Sequence, residues 1–266
     1  MKIALMDSGI GLLAAAAALR KLRPDADLVL SSDPASMPWG PRTPEEVTAL
    51  ALGCVRAAAA LEPDVLVVAC NTASVQALAA LRAELEPGVP VIGTVPAIKP
   101  AAALGGPVAI WATPSTTGSA YQRGLIRDFG GSAGVTEVAC PGLADAVEHG
   151  DAAAIDQAIA YAAARTPAGT AAIVLGCTHY ELVADRIRAA VAPLAAPGFT
   201  LHGSADAVAA QALRRVTGPD RLGGGTVTVL HAGRPAALPP AATGYAEGRA
   251  LLGAAPAPAS APASAG

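Results

Sequence analysis

The chain has 266 residues, 53% hydrophobic and 15% charged, which supplies enough apolar side chain for a sizeable core and excludes wholesale disorder. Net charge is -3, the only lysines are Lys2, Lys21 and Lys99, and the arginines are scattered, so no basic surface for direct nucleic-acid binding is expected. No apolar run reaches the ~18 residues of a membrane span, and Met1–Met6 enters a strand-like segment without the layout of a signal peptide. The expectation is a cytoplasmic protein without membrane contact. Its four cysteines (Cys54, Cys70, Cys140, Cys177) contain no C-x-x-C pair, which argues against both a disulfide framework and a zinc site.

In chain order, short apolar runs recur, each ending in small or polar residues. Ile3–Met6 leads to Asp7-Ser8-Gly9, Leu28–Leu30 to Ser31-Ser32-Asp33, and Val65–Ala69 to Cys70-Asn71-Thr72. Val108–Ala112 leads to Thr113, and Ile173–Leu175 to Gly176-Cys177-Thr178. Continuous apolar strands of this length suit a parallel sheet covered on both faces. Helical signals lie between them: Thr43-Pro44-Glu45-Glu46 has the form of a capping box with Pro at the first helical position, and 49–61 and 152–165 are Ala-rich. Cys54 falls in the first of these stretches and is expected in the core.

One internal relation shapes the fold expectation. Asp7 and Cys70 stand at the ends of two apolar runs; Thr113 and Cys177 repeat that arrangement 106 and 107 residues later. The pattern predicts an α/β fold of two similar lobes, each with a mostly parallel sheet flanked by helices, with the active site between the lobes at the strands' C-terminal ends. The lobes are expected over 1–95 with 205–252 (Asp7, Cys70) and over 96–204 (Thr116, Cys177). The Ala/Pro/Ser tail over 253–266 is expected to be disordered.

Two cysteines in matching settings suit one demanding reaction. Removing the α-proton of an amino acid is hard, and many racemases recruit a pyridoxal cofactor held by a lysine. None of the three lysines here has such a context, so no cofactor is expected. A cofactor-free route needs an acid and a base on opposite faces of the α-carbon, one thiol and one thiolate. Cysteine fits both roles because its ordinary pKa lies close to neutrality. His179, two residues after Cys177, is a candidate to exchange protons with it; Asp7 is a candidate either to do the same for Cys70 or to hold the substrate ammonium. Ser8, Asn71, Thr72, Thr116 and Thr178 offer neutral donors for carboxylates.

The motifs DSGIG (7–11), PWGPR (38–42), ACNTAS (69–74), PAIKPA (96–101), ATPST (112–116), ACP (139–141), VEHGD (147–151) and LGCTHY (175–180) together resemble those of the glutamate racemases, in the aspartate/glutamate racemase superfamily. The resemblance covers residues 1–215. It implies Cys70 and Cys177 as the acid/base pair, Asp7 and His179 as their assistants, and Glu148 as a carboxylate behind the histidine. It also implies Ser8, Trp39, Gly40, Asn71, Thr72, Thr116 and Thr178 around the substrate, with glutamate as substrate and D-glutamate for peptidoglycan as product. Some glutamate racemases inhibit DNA gyrase, which leaves a binding or regulatory protein, such as a gyrase inhibitor, as an alternative of another class; a homodimer is a separate expectation.

The chain departs from the family pattern at four places. Leu12 stands where a second Gly is usual, Trp39 for Tyr, Glu181 for the Pro after THY, and Gly203 for Asp. Leu12 and Trp39 are expected at the pocket rim, which leaves aspartate, a hydantoin or another small acid as alternative substrates.

Overall fold

The computed structural model describes residues 1–216 and 222–253. Its strands are β1 (Lys2–Asp7), β2 (Asp27–Ser32), β3 (Val65–Val68), β4 (Val91–Gly93), β5 (Val108–Ala112), β6 (Val135–Ala139), β7 (Ala172–Leu175), β8 (Thr200–His202), β9 (Val227–His231) and β10 (Arg234–Ala236). Its helices are α1 (Leu13–Leu22), α2 (Pro44–Ala59), α3 (Asn71–Gln76), α4 (Leu78–Leu85), α5 (Ile98–Ala103), α6 (Ala120–Phe129), α7 (Leu143–His149), α8 (Ala152–Ala163), α9 (Thr178–Glu181), α10 (Ala184–Val191), α11 (Ala205–Arg215) and α12 (Ala246–Leu252). The tail expected to be disordered lies, apart from Gly253, outside the described residues.

The five apolar runs read from the sequence are β1, β2, β3, β5 and β7. The last three are buried at every position, as strands covered on both faces must be. The strands form two sheets, ordered β10-β9-β2-β1-β3-β4 and β6-β5-β7-β8. All pairings are parallel except β9 with β10. The internal repeat is visible in this order: β2-β1-β3-β4 corresponds to β6-β5-β7-β8, with the strand that starts each half second in the run. The fold is therefore α/β, with two lobes of mostly parallel sheet flanked by helices.

The chain passes between the sheets twice, from β4 to α5 and from β8 to α11. After the second passage α11 packs on α1, β3 and β4, and α12 packs on α1. The poly-alanine stretch of α1 permits that close approach, because a methyl side chain keeps helix axes near one another. Helix starts follow local chemistry. Thr43 Oγ1 accepts from the Glu46 N–H at 3.3 Å while the Glu46 carboxylate accepts from the Thr43 N–H at 2.9 Å, the reciprocal capping box expected there. Asp151 caps α8 through the Ala153 and Ala154 N–H groups. Cys54, on α2, is buried in the core. Trp111 is fully buried in β5, and its indole N–H donates to Thr166 Oγ1 at 2.9 Å. Among the described residues, no helix is long and apolar enough to cross a membrane.

Candidate active site

Each repeat ends its central apolar strand in a cysteine that is also the N-cap of the following helix. Cys70 precedes α3 with φ -129° and ψ 120°, and Cys177 precedes α9 with φ -140° and ψ 136°. The two backbones therefore turn out of their sheets in nearly the same way. Both cysteines line one cleft of about 240 Å³, together with Asp7, Ser8, Trp39, Gly40, Asn71, Thr72, Thr116, Thr178 and His179. Of the site residues expected from the sequence, only Glu148 does not line the cleft. It stands behind His179, its Oε2 2.8 Å from His179 Nε2.

The polar contacts join the two lobes. Asp7, at the end of β1, is fully buried. Its Oδ1 accepts from the Ser8 N–H at 2.7 Å and from the Ser8 hydroxyl at 3.3 Å, and its Oδ2 accepts from Thr178 Oγ1 at 3.2 Å. Asn71 Nδ2 donates to the Gly176 carbonyl at 2.6 Å. Glu148 Oε2 also accepts from the Ile10 N–H at 2.8 Å. On the second lobe, Cys177 Sγ lies 3.9 Å from His179 Nδ1.

The glycines of DSGIG make these contacts sterically possible. A Cβ on Gly9 would lie 2.2 Å from Glu148 Oε2. One on Gly11 would lie 2.3 Å from Asp7 Oδ2 and 2.7 Å from His179 Nδ1. Gly40 plays the same part across the cleft, where a Cβ would meet Ser115 Oγ at 2.4 Å.

Electrostatics separate the two sulfurs. Burial pushes the Cys70 thiol well above its ordinary value, and the Asp7 carboxylate beside it adds to the rise. Burial also pushes the Asp7 carboxyl up to about 6, against the opposing pull of His179 and of its contact with Cys70. Burial disfavours a charge on His179, but its contacts with Cys177 and Glu148 outweigh that and hold its proton to well above the usual pH. Glu148 is also buried, yet its bond to His179 holds its carboxyl below the ordinary value. Cys70 thus faces a carboxylate, and Cys177 faces a carboxylate-backed imidazolium.

Among the described residues no arginine or lysine lines the cleft. Apart from His179, its donors are hydroxyls, the Asn71 amide and the backbone N–H groups where α3 and α9 begin, which suit small carboxylates. Thr113 Oγ1 lies 3.1 Å from Thr116 Oγ1 and 3.2 Å from Ser115 Oγ. Thr113, Ser115, Met37 and Asp145 also line the cleft and were not singled out as substrate contacts from the sequence. Ser115 sits beside Thr116 in ATPST, which was the available signal.

One expectation is corrected. Leu12 is not at the rim: it forms part of a 3-10 turn (Ile10–Leu12), is 2% exposed and packs in the core, because the turn directs it inward. Trp39 does line the cleft, buried, with its indole N–H donating to Ser36 Oγ at 2.7 Å. Gly203 is absent from the cleft lining; it abuts Glu181.

A cleft between two sheets of mostly parallel strands, with a cysteine following one strand of each, defines a class. The chain belongs to the Asp/Glu/hydantoin racemase family, whose model matches residues 12–213. It is 40% identical over 195 residues to a glutamate racemase of Roseiflexus sp., covering 70% of each chain. It is 35% identical over 244 residues to one of Herpetosiphon aurantiacus, covering 88% of this chain and 93% of the relative. Among solved structures it resembles Escherichia coli glutamate racemase in complex with L-glutamate and an activator, with a TM-score of 0.77, 27% identity, and coverage of 95% of this chain and 92% of that one. It also resembles Thermus thermophilus glutamate racemase bound to β-chloro-D-alanine, with a TM-score of 0.68, 28% identity and coverage of 95% and 93%.

Proposed function

We propose that the protein interconverts L- and D-glutamate by a two-base mechanism between Cys70 and Cys177, supplying D-glutamate for peptidoglycan. The observation that carries this reading is the meeting of two cysteines from equivalent strand ends in one small polar cleft. The family membership and the glutamate racemase relatives support the substrate class.

In each turnover one sulfur takes the α-proton from one face of the substrate while the other sulfur gives its proton to the opposite face. One C–H bond breaks, another forms with inverted configuration, and the two cysteines exchange protonation states. Cys70, held as a thiol by burial and by Asp7, enters as the acid. Cys177, beside a protonated His179, enters as the base. The reverse reaction exchanges these roles, with Asp7 assisting Cys70 and Glu148 keeping His179 in register. Ser8, Gly40, Asn71, Thr72, Thr116 and Thr178 hold the substrate's carboxylates and ammonium, and Trp39 forms part of the wall.

The lobe division 1–95 with 205–252, and 96–204, belongs to this reading. It is supported by the strand membership of the two sheets and by α11 and α12 packing back on the first. The acid, the base and the groups that assist them in this reading all come from this chain. A cytoplasmic setting follows from the need to keep both sulfurs reduced.

The test is α-proton exchange in deuterated water, with glutamate, aspartate and a hydantoin offered in parallel. Wild-type protein is expected to incorporate deuterium into both enantiomers of glutamate. Absence of exchange on either enantiomer overturns the reading, and preferential exchange on another substrate moves the assignment there.

A further inference from the structure

Helix α9 is a single turn of four residues, too short to hold its own orientation, since helix nucleation is unfavourable without outside contacts. Each of its four side chains is tied to a different part of the molecule. Thr178 donates to Asp7 on β1, and His179 meets Glu148 on α7. The Tyr180 hydroxyl donates to the Cys140 carbonyl at 3.4 Å. The fourth residue, Glu181, leads away from the cleft. Its Oε1 accepts from both the N–H and the hydroxyl of Ser204, each at 2.8 Å, and its Oε2 accepts from the Ala205 N–H at 3.2 Å.

Those donors are the N-cap residue and the first residue of α11. The Ser204 side chain makes no N-cap bond of its own, so Glu181 satisfies N–H groups that would otherwise lack an intrahelical partner, and its negative charge suits that end of a helix. The seat is shaped for it: a Cβ on Gly203 would lie 2.2 Å from Glu181 Oε2. Because α11 is packed on α1, β3 and β4 of the larger sheet, this contact fixes the turn carrying Thr178 and His179 to the lobe that carries Cys70.

We propose that Glu181 is a positioning residue for the racemisation: seated over Gly203 on the start of α11, it sets how the Thr178–His179 turn meets the cleft. Glu181 does not line the cleft, so it acts through that turn and not on the substrate. The proposal rests on the racemase reading.

The test uses the full chain with Glu181→Ala, Glu181→Gln, Gly203→Ala and the Glu181→Ala/Gly203→Ala double variant. All are assayed at a temperature where circular dichroism shows them folded. Glu181→Ala is expected to lower kcat about 10- to 100-fold, the effect of displacing a reacting group by roughly 1 Å. Glu181→Gln, which keeps one acceptor oxygen, recovers part of the rate. Gly203→Ala alone lowers kcat because its methyl displaces the carboxylate, whereas adding it to Glu181→Ala costs nothing further. With α-deuterated glutamate, the isotope effect rises in the direction that uses Cys177 as base more than in the other.

A folded Glu181→Ala or Gly203→Ala variant with wild-type kcat overturns the proposal, as does an isotope effect that changes equally in both directions. These outcomes leave the racemase reading intact. If Glu181→Ala does not fold, Gly203→Ala carries the same test with the carboxylate still present. Wild-type protein without any α-exchange overturns the racemase reading, and this proposal with it.

Discussion

Cys70 and Cys177 occupy the same place in two copies of one strand–cysteine–helix unit, yet their neighbours differ in sign. Cys70 is buried, which holds its thiol protonated, and the Asp7 carboxylate beside it adds to that effect. Cys177 is half-buried and lies 3.9 Å from the imidazole of His179, which Glu148 holds in place. A two-base racemase needs this inequality, because two thiols or two thiolates cannot both take and give a proton. The repeated backbone supplies matched geometry, and the non-repeated side chains set a carboxylate beside Cys70 and a histidine beside Cys177.

The largest expected effect removes one member of the pair. Cys70→Ser and Cys177→Ser each lower racemisation by about 10²–10⁴-fold, the usual contribution of a positioned acid or base, measured by chiral chromatography of glutamate. Either variant turning over at the wild-type rate would remove the basis for treating the two as partners. Next in size is Gly11→Ala, whose methyl crowds Asp7 and His179 together. It strikes the assistants of both sulfurs at once and is expected to cost about 100-fold without changing either cysteine.

A third experiment separates function from stability on the Cys70 side. The Asp7 carboxyl has a native value of about 6 against an ordinary 3.8, so the unfolded chain releases this proton first as pH rises. The resulting cost to the fold is absent below about pH 4, grows between 4 and 6, and is complete above 6. It amounts to roughly 3 kcal/mol. Asp7→Asn is therefore expected to lose activity and to gain thermal stability relative to wild type at pH 8 but not at pH 4. A stability gap that narrows as pH rises contradicts this account of Asp7. The smallest effect lies away from both sulfurs. Thr43→Ala removes the α2 cap and costs about 1 kcal/mol, a fall of about 2–4 °C in Tm, with kcat unchanged.

The legible part of the fold was the part whose burial is complete. β3, β5 and β7 are buried at every position and read as unbroken apolar runs. β6, with its sequence VTEVA, is half-exposed along most of its length. β8 has three residues and β10 is exposed throughout, so neither carries a hydrophobic pattern to read.

The site divides in the same way. Cys70, Cys177, Asp7 and His179 were visible because their motifs are local to a strand end. Glu181 and Gly203 stand 22 positions apart and looked like two unrelated departures from the family pattern. The structure joins them as a carboxylate and the gap that admits it. Leu12 was misplaced because the sequence does not show which way a 3-10 turn directs a leucine.

The order of the strands also has a consequence for how the protein is made. The smaller sheet draws all its strands from one stretch, β5 to β8, and can close as soon as residue 202 has left the ribosome. The larger sheet cannot, because β9 pairs with β2, so the edge of β2 stays open until residue 231 is synthesised. Unpaired edges of this kind invite association with other chains. Premature termination between β8 and β9 would therefore leave a finished half carrying Cys177 attached to an adhesive, unfinished half carrying Cys70.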